Sequence, residues 1–184
     1  MSAIRNISLG CAALLVLYAM QRTQPGYAEI IGPFVSRGIE KQGTATKEFE
    51  VQLTGFKAAH RLKTGRNGKT SVLTTDGIWV LVGVKAKASK QSLTLTAASW
   101  QGPSKAIYYT SDRLPPHITM LANQRLEPGM EIQGLIIFEI PHSELQHATL
   151  RLAQNKFAPL AGEAEIVMPA FGGDRIVDEF DLDI

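Results

Sequence analysis

Cysteine is almost missing from this chain: Cys11 is the single one in 184 residues, and it lies in an apolar N-terminal run. Everything after that run must hold together without disulfides, and it has no thiolate for catalysis or metal binding. Histidine is nearly as scarce, with four residues. A surplus of one charge is missing too, since the formal net charge is only +2. Residues 1–28 contain Arg5 and Arg22 and no acid, so without them the basic and acidic residues balance. A balanced chain lacks the positive field that phosphate backbones require, which argues against nucleic acid as a partner. Internal repeats, coiled-coil heptads and low-complexity tracts are absent. No Gly-x-Ser-x-Gly segment offers a hydrolase elbow.

What is present begins with a leader. Residues 7–20 read ISLGCAALLVLYAM, uncharged and mostly apolar, with Arg5 and the N-terminal amine before them. A short positive region, an apolar stretch and small residues at Gly26 and Ala28 form the pattern of a secretory signal cleaved after Ala28. Residues 4–20 reach the lower limit of a spanning helix, so an uncleaved membrane anchor is the second expectation. With Arg5 on the cytoplasmic side, either case places the remainder outside. Ser8-Leu9-Gly10-Cys11 does not fit a lipoprotein acceptor, because most of the apolar stretch follows the cysteine. The expected organisation is therefore 1–28 signal or anchor, 29–48 lead-in and 49–184 folded domain.

From residue 29 onward short strand signals recur. The lead-in holds Gly32, Pro33, Gly38 and Gly43, with room for one edge strand near Ile30 to Val35. Phe49, Val51 and Leu53 alternate with polar residues at the strand period of two. Ile78 to Val84 (IWVLVGV) is continuously apolar, bounded by Asp76-Gly77, and reads as a central strand with Trp79 in the inter-sheet core. Leu93, Leu95 and Ala97 alternate with threonines. Ala106 to Thr110 is short and aromatic. Ile132 to Ile140 is stopped by Pro141. Ala148 to Leu152, Glu163 to Met168 and Asp178 to Ile184 follow. No capped amphipathic helix of three turns interrupts them. This pattern predicts an all-β, antiparallel β-sandwich behind an N-terminal signal or anchor helix.

Three segments, in order, carry a family resemblance. They are Asp76 to Val82 (DGIWVLV), Tyr109-Thr110-Ser111-Asp112-Arg113, and Leu126-Glu127-Pro128-Gly129 followed by Gly134 to Pro141 (GLIIFEIP). Together, over about residues 49–168, they resemble the bacterial extracytoplasmic immunoglobulin-like domains of unknown function. Those domains are similar in fold to small secreted immunoprotective antigens. The Asp-Gly that usually precedes the tyrosine in them is replaced by Gln101-Gly102-Pro103 nearby. The resemblance implies an immunoglobulin-like sandwich and an exported location. It implies no catalytic residue.

Local motifs add little chemistry. Gly65 to Thr70 ends like a phosphate-binding loop, but its first glycine position is Lys63, and Asn67-Gly68 reads as a hairpin turn. His142 and His147 lie five apart, outside the four-residue spacing of a zinc-protease helix. His60, His117, His142 and His147 are expected as solvated surface residues. Asp112-Arg113 reads as a structural ion pair or a loop hydrogen-bonding site. Lys57, His60, Arg61, Lys63, Arg66 and Lys69 form a basic stretch suited to anionic polymers or lipid heads, or simply to solvent. The acidic residues Asp174, Asp178, Glu179, Asp181 and Asp183 alternate with apolar ones near the end, which suits a half-wet strand better than a calcium site.

No catalytic, cofactor or metal site is expected. The functional expectation is a non-enzymatic interaction module of the cell envelope, contacting another envelope protein or a surface polymer. The alternative is a small-ligand or lipid-binding envelope protein. The candidate contact residues are Trp100, Tyr108, Tyr109 and Arg113, where aromatics adjoin a cation, and the basic Arg61, Lys63 and Arg66.

Overall fold

The computed structural model describes residues 2–23, 32–39, 43–66, 69–116, 118–156 and 160–182. The chain divides into two compact units, Met1–Gly32 and Pro33–Ile184.

The first unit contains helix α1, Ser2–Thr23. Among the described residues no helix is long and apolar enough to cross a membrane. The membrane anchor expected through residues 4–20 draws no support from this helix. Asn6, Ser8 and Gly10 dilute the run on one side, and Gln21 and Arg22 close it on the other, short of the roughly 20 apolar residues a span requires. The Gly26 to Ala28 cleavage point lies outside the described residues.

The second unit is built of strands. Its first half holds β1 (Phe34–Ile39), β2 (Thr44–Ala45), β3 (Phe49–Arg66), β4 (Lys69–Ala88), β5 (Leu93–Thr94) and β6 (Ala97–Gln101). Its second half holds β7 (Ile107–Tyr109), β8 (Arg125–Leu126), β9 (Ile132–Ile140), β10 (Thr149–Ala153), β11 (Gly162–Val167) and β12 (Ile176–Asp181). One five-stranded sheet runs β1-β11-β10-β6-β7. The other runs β12-β3-β4-β9, with β2 added beside β3. Most pairings are antiparallel, but β1 lies parallel to β11 and β12 parallel to β3. Within the region read as a lead-in, β1 begins at Phe34 and β2 pairs with β3.

The alternating apolar residues fold inward as their period requires. Phe49, Val51 and Leu53 of β3, Val80, Val82 and Val84 of β4, and Ile136, Phe138 and Ile140 of β9 supply one wall of the core. Trp100, Leu150, Leu152, Ala164 and Ile166 supply the other. Aromatic rings bridge the walls: Trp100 lies 5.8 Å from Phe138 and 6.1 Å from Phe171, which meets Phe56 edge-on at 4.7 Å. The Trp100 indole N–H donates to the carbonyl of Glu144 at 2.9 Å.

Trp79 is fully buried, but not between the sheets. It belongs to a second, smaller cluster with Leu62, Leu81, Ile118, Ile137 and Leu182, against which Leu114 and Met120 pack. The run from Ile78 to Val84 has one face in each core, and Trp79 takes the outer parity. Its Nε1 is buried without a hydrogen-bond partner.

Strands β3 and β4 are longer than the sequence suggests. Asp76-Gly77 does not end the central strand but lies within it, and two register shifts, between Leu53 and Gly55 and between Ala59 and Arg61, break the period of two. Such bulges bend a strand and switch the face its residues point to. The hairpin pairs Arg66 with Lys69, as the Asn67-Gly68 reading requires, though the turn itself lies outside the described residues.

Candidate functional site

The sheet β1-β11-β10-β6-β7 has one face in the core and one turned outward. Register places Arg37, Glu165, Arg151, Ser99 and Tyr109 in a single row across all five strands of that outward face. Adjacent charges in the row pair. Arg37 Nε lies 3.0 Å from Glu165 Oε2, and Arg151 Nη2 lies 2.8 Å from Glu165 Oε1. Glu163, one row away, lies 3.9 Å from Arg151 Nε. Burial holds the Glu163 carboxyl above the usual carboxylate range, Arg151 pulls it back, and Glu165 pushes it further up.

Apolar side chains flank the charged row. Ile39, Val167 and Ile107 align on one side, with the polar Thr149 and Gln101 between Val167 and Ile107, and Ile39 and Val167 are each 57% exposed. Val35 lies on the other side and is also exposed. Toward β7 a hollow of about 170 Å³ is lined by Ser99, Tyr109, Arg151, Asn155, Lys156 and Glu163. Lys156 Nζ sits 3.7 Å from the centroid of the Tyr109 ring.

The elevated Glu163 carboxyl makes a testable statement about pH. A folded-state pKa above the unfolded value means the native protein binds the extra proton, so stability falls as pH rises from the ordinary carboxylate range through the elevated one. The Glu163→Gln variant is therefore expected to lose less stability than wild type over that interval. Because the carboxyl is partly exposed and faces Arg151, the difference is small, about 1 kcal/mol or less. Denaturant unfolding at a series of pH values reads it, and parallel profiles for the two proteins would contradict it.

The contact residues expected from sequence do not converge. Trp100 is fully buried in the inter-sheet core and presents nothing to a partner. Tyr108 is half-buried and packs against that core, while its neighbour Tyr109 is exposed on the outward face. Arg113 lies in the turn after β7, and its side chain reaches the opposite sheet. It donates to Glu139 Oε1 at 2.6 Å and to the carbonyl of Thr74 at 3.0 Å, 5.4 Å from the Trp79 ring centroid. Its ion-pair partner is thus Glu139 and not Asp112.

The basic stretch meets the acidic one. Parallel pairing of β12 with β3 sets Glu179 beside Arg61 at 4.0 Å and Asp181 beside Lys63 at 3.0 Å. Each partly offsets the other's charge, so Arg61 and Lys63 carry less of a field toward anionic polymers than the sequence suggests. The Arg66 and Lys69 side chains and Asp183 lie outside the described residues. His60 and His142, far apart in sequence, face each other with ring centroids 5.3 Å apart, and both are exposed. His147 is exposed with a φ of 53°, and His117 lies outside the described residues. Among the described residues no three His, Cys, Asp or Glu side chains come together as metal ligands would.

No family model and no curated protein matches the chain. Solved structures do. The yjhA protein from Bacillus subtilis is similar with a TM-score of 0.51 and 12% identity, over 71% of this chain and 98% of its own. The secreted protein MPT63 from Mycobacterium tuberculosis is similar with a TM-score of 0.50 and 12% identity, over 73% of this chain and 98% of its own. An uncharacterized β-sandwich protein from Clostridium difficile aligns with a TM-score of 0.49 and 10% identity, over 79% of this chain and 100% of its own. For the first two the likeness is one of fold, and it agrees with the sandwich described above.

Proposed function

We propose that this chain is an exported, non-enzymatic immunoglobulin-like module of the cell envelope that binds another envelope protein through the outward face of the sheet β1-β11-β10-β6-β7. The observation that carries this reading is the collection of exposed Val35, Ile39, Ile107, Tyr109 and Val167 on that one face, around a row of charges that already satisfy one another. Apolar side chains gathered in this way mark contact surfaces. The face is close to neutral, with Arg37, Arg151 and Lys156 set against Glu163 and Glu165, so a polyanion gains little there and a protein surface gains most. Export is supported by the leader pattern and by the fold shared with a secreted mycobacterial protein.

The test places a photo-crosslinking residue at Val167 in the full chain, expressed in its own envelope, with Asp178 on the other sheet as control. The expected result is one adduct that depends on position 167. After its partner is identified and purified, direct binding should weaken at least about tenfold in Ile39→Glu while the melting temperature holds. Equal adducts from both positions, none from Val167, or an adduct between two copies of this chain would overturn the reading.

A further inference from the structure

The outward face of the other sheet carries a separate trough that does not depend on the docking face above. Its floor is set by register: Gly55 of β3 pairs with Gly83 of β4, which pairs with Leu135 of β9. Leu81 continues the floor, and the bulge between Leu53 and Gly55 is what turns Gly55 outward between the inward Leu53 and Phe56. Glycine in a strand interior costs about 0.5–1 kcal/mol relative to alanine, and it often marks the close approach of another group. Packing does not demand Gly55, since a Cβ there would meet nothing within 4 Å. A Cβ on Gly83 would meet Thr54 Oγ1 at 2.6 Å, so Gly55 is the glycine that leaves room, and the hollow beside it measures about 680 Å³. That falls in the ~300–1,000 Å³ range of small-ligand sites.

Its rim is charged asymmetrically. Lys57 Nζ stands 5.6 Å from the Phe180 ring centroid, and the Arg175 guanidinium lies 4.0 Å from that of Phe56. Against these two cations the lining has one acid, Asp174. An apolar floor beneath two cations complements a molecule with one apolar chain and one negative end. We propose that the trough binds a free single-chain carboxylate, its tail along Leu81, Gly83 and Leu135 and its carboxylate at Lys57 and Arg175.

Calorimetric titration of the full chain with monomeric dodecanoate tests this. Saturable binding is expected, at least about tenfold tighter than that of dodecyltrimethylammonium, the same tail with the opposite charge. Gly55→Leu should fill the trough and weaken dodecanoate binding by about tenfold or more with the melting temperature preserved. Lys57→Glu, an exposed position, should do the same through charge and serves if the first variant misfolds. Equal affinity for both amphiphiles, affinity unchanged in both variants, absence of saturable binding, or binding only to vesicles containing oleate would overturn the proposal.

Discussion

Replacing Trp100 by alanine is expected to cost about 3–5 kcal/mol of folding stability, the cost of removing a large aromatic side chain from a packed core. The ring is fully buried and touches Phe138 and Phe171 across the inter-sheet space. Whole domains are stable by about 5–15 kcal/mol, so this one change removes a large share. Part of the loss is polar. Without the indole N–H the buried carbonyl of Glu144 loses its 2.9 Å donor, which carries a penalty of its own of about 1–3 kcal/mol. Trp100→Phe should therefore fall between wild type and alanine. Equilibrium urea unfolding measures all three. An alanine variant within about 1 kcal/mol of wild type, the scale of an ordinary surface change, would show that the sheets do not close on this ring.

The second large effect is expected at Gly77. A Cβ there would collide with the carbonyl oxygen of Ile140 and lie 2.9 Å from its carbon. Both atoms are backbone at the end of β9, so neither can rotate away. Gly77→Ala should cost about 1–3 kcal/mol or more, as overpacking does. At about 2–4 °C per kcal/mol for a unit of this size, the melting temperature should fall by several degrees. Gly55→Ala is the matched control, because that Cβ has open space. Equal melting temperatures for the two variants would show that the end of β9 yields freely.

These positions also show what could be read from sequence. Alternation located β3 and an unbroken apolar run located β4, and Phe49, Val51 and Leu53 do keep one parity inward. Trp79 was harder. In a run where every residue is apolar, parity says nothing about which face meets the other sheet. The answer rests on Ile118, Leu114 and Met120 covering the outer face, and those residues come from a distant segment. Trp100 failed for a related reason. Ala97 and Ala98 are both buried, so the alternation of Leu93 and Leu95 slips by one before the tryptophan. Beside Tyr108 and Tyr109 it then reads as part of a surface group. Past Phe56, β3 turns basic and crosses its second bulge, so charge masked the strand.

The candidate surfaces were less legible than the fold. Arg37, Ser99, Tyr109, Arg151 and Glu165 share a row only through the register of four strand pairings. No local pattern encodes that register. Gly55 and Gly83 look like ordinary strand interruptions until they are seen to face each other. Arg61 and Lys63 were visible as charges, but the strand that neutralises them lies at the far end of the unit.

The two parallel pairings have a kinetic consequence. Strand β1 waits for β11, and β3, already paired with β4 in a local hairpin, gains β12 only from the far end of the unit. Ladders of such high contact order fold slowly, on the order of milliseconds to seconds, because loop closure must come before any stabilising contact. The two parallel ladders therefore close late, after the hairpin of β3 and β4.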